Sequence, residues 1–216
     1  MCSSVGAGSI HCTVPARTRS SGTVSGRWEG NRTPSEGSPV KGVIFNAVED
    51  AVERMLGPAA WDDTLDRASA SGSYTSLGNY DDEELVGIVQ ALPDDCGSGL
   101  DARLRWVGRH SVPYLVAAFP QFFEDIDLRG FLPALNHMIH PEVRKLYPGA
   151  TPPDFDIEDD GGAEISLRYV STRQLCWLAE GFTLGVAEHL GESVSITQPS
   201  CMHDGSAHCD LRIRFG

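Results

Sequence analysis

An α+β fold is predicted, with a helical N-terminal half packed on a C-terminal β-α-β-β antiparallel sheet. Three observations predict it. Apolar residues recur at helical spacing from Ile44 through Val48, Ala51, Val52 and Met55, and in later segments as far as Leu135. Ile165, Leu167 and Tyr169, and later Leu211, Ile213 and Phe215, alternate with polar neighbours in the period of a strand. Between those two segments, residues 172–190 return to a helical pattern.

In chain order, residues 1–40 stand apart. They are rich in Ser and Gly, contain Pro15, Pro34 and Pro39, and carry almost no large apolar side chains. Such a stretch cannot bury enough surface to offset its ordering entropy. It is expected to be a disordered tail or an extension outside the natural chain, with Val40 as the natural start. The folded domain is expected over 41–216. Residues 43–56 form the first predicted helix, stopped by Gly57, and 61–70 a second. Residues 81–91 open with acidic side chains, which favour a helix N-terminus. Residues 100–118 are helical in pattern, but Pro113 predicts a kink or break. Phe119–Asp125 is an aromatic core segment, and 128–135 continues as helix towards His140. Gly149–Pro153 reads as a turn and Asp156–Gly162 as an acidic loop. A strand at 165–170, the helix capped by Gly191 and strands at 194–197 and 211–215 complete the chain.

Of its 216 residues, 41% are hydrophobic, enough for one domain with a full core. The formal net charge is -13, which disfavours nucleic acid as a partner. No apolar run reaches the length of a membrane span. Six cysteines without a signal peptide fit a reducing cytoplasm, where clustered thiols read as metal or redox sites. No Ser-His-Asp or Cys-His arrangement has a nucleophile-elbow context, so an enzyme is not expected.

Two motifs carry chemistry. His140 lies in NHMIHPEVRKLYPGATPPDF, and an imidazole facing an apolar pocket can ligate haem iron. Tyr169, Ser171 and Arg173 form Tyr-x-Ser-x-Arg where a strand meets a helix. One guanidinium fork and two hydroxyls at alternating positions suit a carboxylate. Pro141 disfavours helical geometry at His140, which leaves His137, about one turn earlier, as the fallback ligand.

Together with the opening KGVIFNAVEDAVERMLG, these segments resemble the haem nitric oxide/oxygen binding (H-NOX) family, related to the sensor domain of soluble guanylate cyclase. The resemblance spans Lys41 to Phe215 and implies haem b between the two halves. It implies that His140 is the proximal ligand and that Tyr169, Ser171 and Arg173 hold the propionates. Pro153 would press on the porphyrin, and Ile44 and Val48 would line the distal side. Family members that hold oxygen carry a tyrosine nine residues after the motif's Tyr. Here that position is Leu178, with Ser111 near a further polar distal position. The resemblance therefore implies a sensor in which nitric oxide weakens the His140 bond and the halves shift. The signal would pass to a partner, either a histidine kinase or a cyclic-dinucleotide enzyme (diguanylate cyclase or phosphodiesterase).

Cys176, Cys201 and Cys209 resemble the zinc cysteines of a family subgroup, whose fourth ligand stands where this chain has Gln198. His203, then His208, is the expected replacement. The alternative function is a haem-independent zinc or thiol redox switch on the same fold. Cys96 has no assigned role.

Overall fold

The structure, a computed structural model, describes residues 39–216, so the expectation for the N-terminal tail lies outside the described residues. A two-stranded ribbon opens the domain, β1 (Val40–Lys41) pairing antiparallel with β2 (Asn79–Tyr80). Around it stand α1 (Gly42–Leu56), α2 (Pro58–Ala68), α3 (Asp82–Ala91) and α4 (Leu100–Ala118). Their apolar stripes meet in one core, where Phe45, Val48, Ile88 and Val107 are fully buried. Each such side chain contributes roughly 1.5–3 kcal/mol on burial.

The second half is a four-stranded antiparallel sheet in the order β3-β4-β6-β5, crossed by one helix. The strands are β3 (Asp154–Asp159), β4 (Glu164–Val170), β5 (Val194–Ser200) and β6 (Cys209–Phe215). In register, Ile165 faces Ile213, Leu167 faces Leu211, and Tyr169 faces Cys209, all six on the buried face. The expected β-α-β-β subdomain therefore gains a strand. The acidic stretch predicted as a loop is the edge strand β3. Its alternate residues Phe155 and Ile157 are half-buried, while the acids between them face solvent, as suits an edge.

Helix α7 (Cys176–His189) packs against both cores through Trp177 and Phe182. Its contact with α4 is set by glycines. A Cβ on Gly185 would lie 2.5 Å from the Arg109 carbonyl oxygen, and one on Gly181 or Gly108 would press on a backbone carbonyl more closely still. Ion pairs Arg105–Glu180 (2.7 Å) and Arg109–Glu188 flank the crossing. Pro113 does not break α4, which runs through it as one helix.

Helix α5 (Leu128–Ala134) begins under a cap, the Asp127 carboxylate accepting the Gly130 N–H at 2.8 Å. It runs into a π-helical turn over Leu135–Ile139 and then into α6 (His140–Leu146). His140 sits at φ -64, ψ -38, the helical geometry that Pro141 was expected to disfavour. The wider turn before it accommodates the proline in the first turn of α6, where a backbone N–H is dispensable.

Candidate functional site

Between the two cores lies an apolar cavity of about 290 Å³, partly open to solvent. One wall comes from the helices, through Ile44 of α1, Leu85 of α3, Val112 and Leu115 of α4, and Leu178 and Phe182 of α7. Another comes from His140 and Val143 of α6 and from Tyr147, Pro152, Pro153 and Phe155 beyond it. Tyr169 and Arg173 close a third side.

His140 is held by its surroundings. Its ring lies 5.7 Å from Phe155, which in turn lies 5.9 Å from Tyr169. Asn136, in the π-helical turn, pins the same strand: its amide donates to the Phe155 carbonyl, and its oxygen accepts the Phe155 N–H at 3.2 Å. The His140 Nδ1 is buried with no hydrogen-bond partner. Burial above all, with Arg144 adding to it, pushes the imidazole pKa down to about 4, against the Asp154 carboxylate and the Pro153 backbone. A neutral imidazole with an unused nitrogen is the form that ligates a metal. His137 is exposed and does not line the cavity.

The Tyr-x-Ser-x-Arg segment is less extended than its alternation implied. Strand β4 ends at Val170, so Ser171 and Arg173 lie in the turn into α7. The Tyr169 hydroxyl accepts the Leu175 N–H at 3.0 Å, and the Ser171 oxygen accepts the Arg173 N–H at 3.3 Å. Two hydroxyls thus shape the turn that presents Arg173. Its guanidinium donates to the Pro39 carbonyl at 3.3 Å and to the Thr151 hydroxyl. Burial lowers the Arg173 pKa, and Tyr169 and Asp82 oppose that shift.

Not every predicted lining residue reaches the cavity. Ile44 lines it, but Val48, one turn on, is fully buried within the helical core. Ser111 is also fully buried, and its hydroxyl donates to the Ala47 carbonyl at 3.1 Å rather than facing the cavity. Leu178 does line the cavity. The nearby Thr183 hydroxyl is committed to its own helix, donating to the Ala179 carbonyl at 2.9 Å. Sequence reasoning gave no role to Asn136 or Lys41, although each opens one of the quoted segments.

Cys176, Cys201 and Cys209 converge, their three Sγ atoms lying within 4.8 Å of one another and all buried. The Cys209 sulfur accepts the Met202 N–H at 3.2 Å. Burial raises the pKa of Cys176 and of Cys209, so both are thiols in this state. His203 does not join them. Its ring is exposed, stacks on Trp177 at 4.0 Å, and meets the Gln174 carbonyl at 2.8 Å through Nε2. His208 instead lies 3.4 Å from Asp210. Gln198 faces Cys176, and its amide nitrogen is buried without a partner.

The fold is that of a haem-based gas-sensor class. The haem-NO-binding family profile matches residues 41–198, and the chain belongs to that family. The crystal structure of an H-NOX protein from S. oneidensis in the Fe(II)NO state is 30% identical, with a TM-score of 0.75, covering 82% of this chain and 99% of that one. The NMR structure of an H-NOX domain from Shewanella oneidensis in the Fe(II)CO state is also 30% identical, with a TM-score of 0.73 and the same coverage. The Fe(II) unliganded H-NOX protein from K. algicida is 26% identical, with a TM-score of 0.70, covering 82% of this chain and 97% of that one. No curated protein matched the chain. Among the described residues, no helix is long and apolar enough to cross a membrane.

Proposed function

We propose that the domain is a nitric-oxide sensor that carries haem b on His140 and regulates a signalling partner, a histidine kinase or a cyclic-dinucleotide enzyme. The observation that carries this reading is the half-buried His140 imidazole, its Nδ1 buried and unpartnered, at the wall of an apolar cavity. Bound haem would supply a ferrous iron able to take up a diatomic gas. His140 would hold that iron, and Arg173, presented by Tyr169 and Ser171, would pair with a propionate. Pro153 would bear on the macrocycle from the His140 side. Ile44 and Leu178 would exclude water from the other wall.

The choice of gas follows from the side chains of the helical wall. Bound oxygen gathers negative charge and needs a hydrogen-bond donor, whereas nitric oxide needs none. Leu178 offers no donor, and the hydroxyls of Ser111 and Thr183 are already committed to backbone carbonyls. The absorbance of the reduced, haem-loaded protein is therefore expected to shift on adding nitric oxide and to show no stable shift on admitting air. A lasting shift in air would overturn the choice of gas.

The three cysteines support a second reading. We propose that Cys176, Cys201 and Cys209 bind zinc through three thiolates, the metal displacing the thiol protons. His203 is not part of this set, so the fourth position falls to water or to the Gln198 carbonyl oxygen. Purified, reduced protein is expected to contain about one zinc per chain, lost in Cys176→Ser. Metal-free wild-type protein would sink this reading. The site adjoins the haem motif, since Tyr169 pairs in register with Cys209 and receives the N–H of the residue before Cys176. Thiol oxidation there is the haem-independent input that this reading allows.

A further inference from the structure

The cavity lining is basic, with the Asp82 carboxylate near Arg173 but outside that lining. Among its described lining residues are two cationic side chains, Lys41 and Arg173, and no Asp or Glu. Lys41 is only 6% exposed. Strand β1 fixes its backbone opposite Asn79. Its ammonium donates to the Pro148 carbonyl at 2.6 Å, and among the described residues no carboxylate pairs with it. A buried ammonium is costly unless paired, and one carbonyl uses one of its three donors. The two cations also join the same two stretches of chain. Lys41 reaches from β1 to Pro148, and Arg173 bridges Pro39 and Thr151. Both therefore tie residues 39–41 to residues 148–151 along the wall of a largely apolar chamber, an arrangement suited to a ligand with an apolar body and two carboxylates on one edge.

We propose that Lys41 pairs with one carboxylate of the haem while Arg173 pairs with the other. This rests on the reading of the cavity as a haem site and adds a residue that the Tyr-x-Ser-x-Arg motif does not contain. Lys41 would then be a binding residue, and its bond to Pro148 the position it keeps without ligand.

The test compares Lys41→Met and Lys41→Arg with the wild-type full chain, each loaded with haem or with haem dimethyl ester. The readout is the rate of porphyrin loss to excess apomyoglobin. With haem, Lys41→Met is expected to lose its porphyrin on the order of tenfold faster, the loss of one charge-assisted hydrogen bond. Lys41→Arg should stay near wild type. With the dimethyl ester, which has no carboxylate to pair, the three proteins should release at similar rates. The wild type alone should release the ester faster than haem, so the proposal stays open to refutation even if Lys41→Met fails to fold. Equal acceleration of haem and ester in Lys41→Met would make Lys41 only a latch to Pro148 and overturn the proposal, as would a wild-type rate in that variant. Failure of the wild type to take up either porphyrin would instead overturn the haem reading itself, and this proposal with it.

Discussion

Gly181→Ala is expected to destabilise the domain by about 3 kcal/mol, the upper end for overpacking a tight contact. Two effects oppose each other. Alanine is the better helix former by about 1 kcal/mol. But the new Cβ on α7 would press on the Arg105 carbonyl of α4, with the Arg105 Cα 2.9 Å away, and neither helix backbone can yield as a side-chain tip can. The steric term wins, and for a domain of this size the melting temperature should fall by roughly 6–12 °C. Gly87→Ala is the matched comparison. Gly87 lies inside α3 with nothing within 4 Å of its added Cβ, so only the propensity gain remains and stability should rise by up to about 1 kcal/mol. Thermal unfolding of both variants checks the pair. A neutral Gly181→Ala would mean that the two helices are free to part.

His140→Gly is expected to abolish stable haem retention, and added imidazole is expected to restore it. The substitution removes a side chain that lines the cavity and leaves room for a free ring. His137→Gly should leave the haem spectrum unchanged, because His137 is exposed and outside the cavity lining. The absorbance of the reduced proteins, with and without imidazole, reads both outcomes. An unchanged spectrum in His140→Gly would remove His140 as the ligand.

Much of this was legible in the sequence, for identifiable reasons. Helices α1, α3 and α4 announce themselves because each buries one stripe, so their apolar spacing survives in the sequence. Strands β4 and β6 do so because one face is buried and the other carries Arg168, Arg212 and Arg214. Strand β3 was hidden because its acids dominate its composition, while only Phe155 and Ile157 turn inward. The two-residue strands β1 and β2 are too short to show a period. Proline was the least faithful guide: Pro113 and Pro141 both sit within helical backbone.

The site divides along the same line. His140, Tyr169 and Arg173 are marked by motif and spacing, and the fold brings all three to one cavity. Val48 and His203 lie elsewhere because a family resemblance, or proximity in sequence, assigns a role without naming what the side chain meets in this fold. Lys41 and Asn136 open two of the marked segments, but nothing local to them names a role. Their significance comes from Pro148 and Phe155, partners distant in sequence that only the folded chain supplies.

The π-helical turn over Leu135–Ile139 bears on which changes of length the chain can tolerate. An α-helix rotates by about 100° per residue, and a π turn holds one residue more than a regular turn. Losing a single residue between Asp127 and His140 would restore ordinary helical phase. Because the π turn already absorbs that extra residue, such a loss would leave the imidazole near its present direction, whereas one further inserted residue would turn it by about 100°, off the cavity wall. Lineages carrying this domain should accept insertions and deletions in the exposed β3–β4 hairpin loop near Gly161, but no insertion in that short helical approach. Comparing lengths of the two segments across related sequences would show whether the phase is kept.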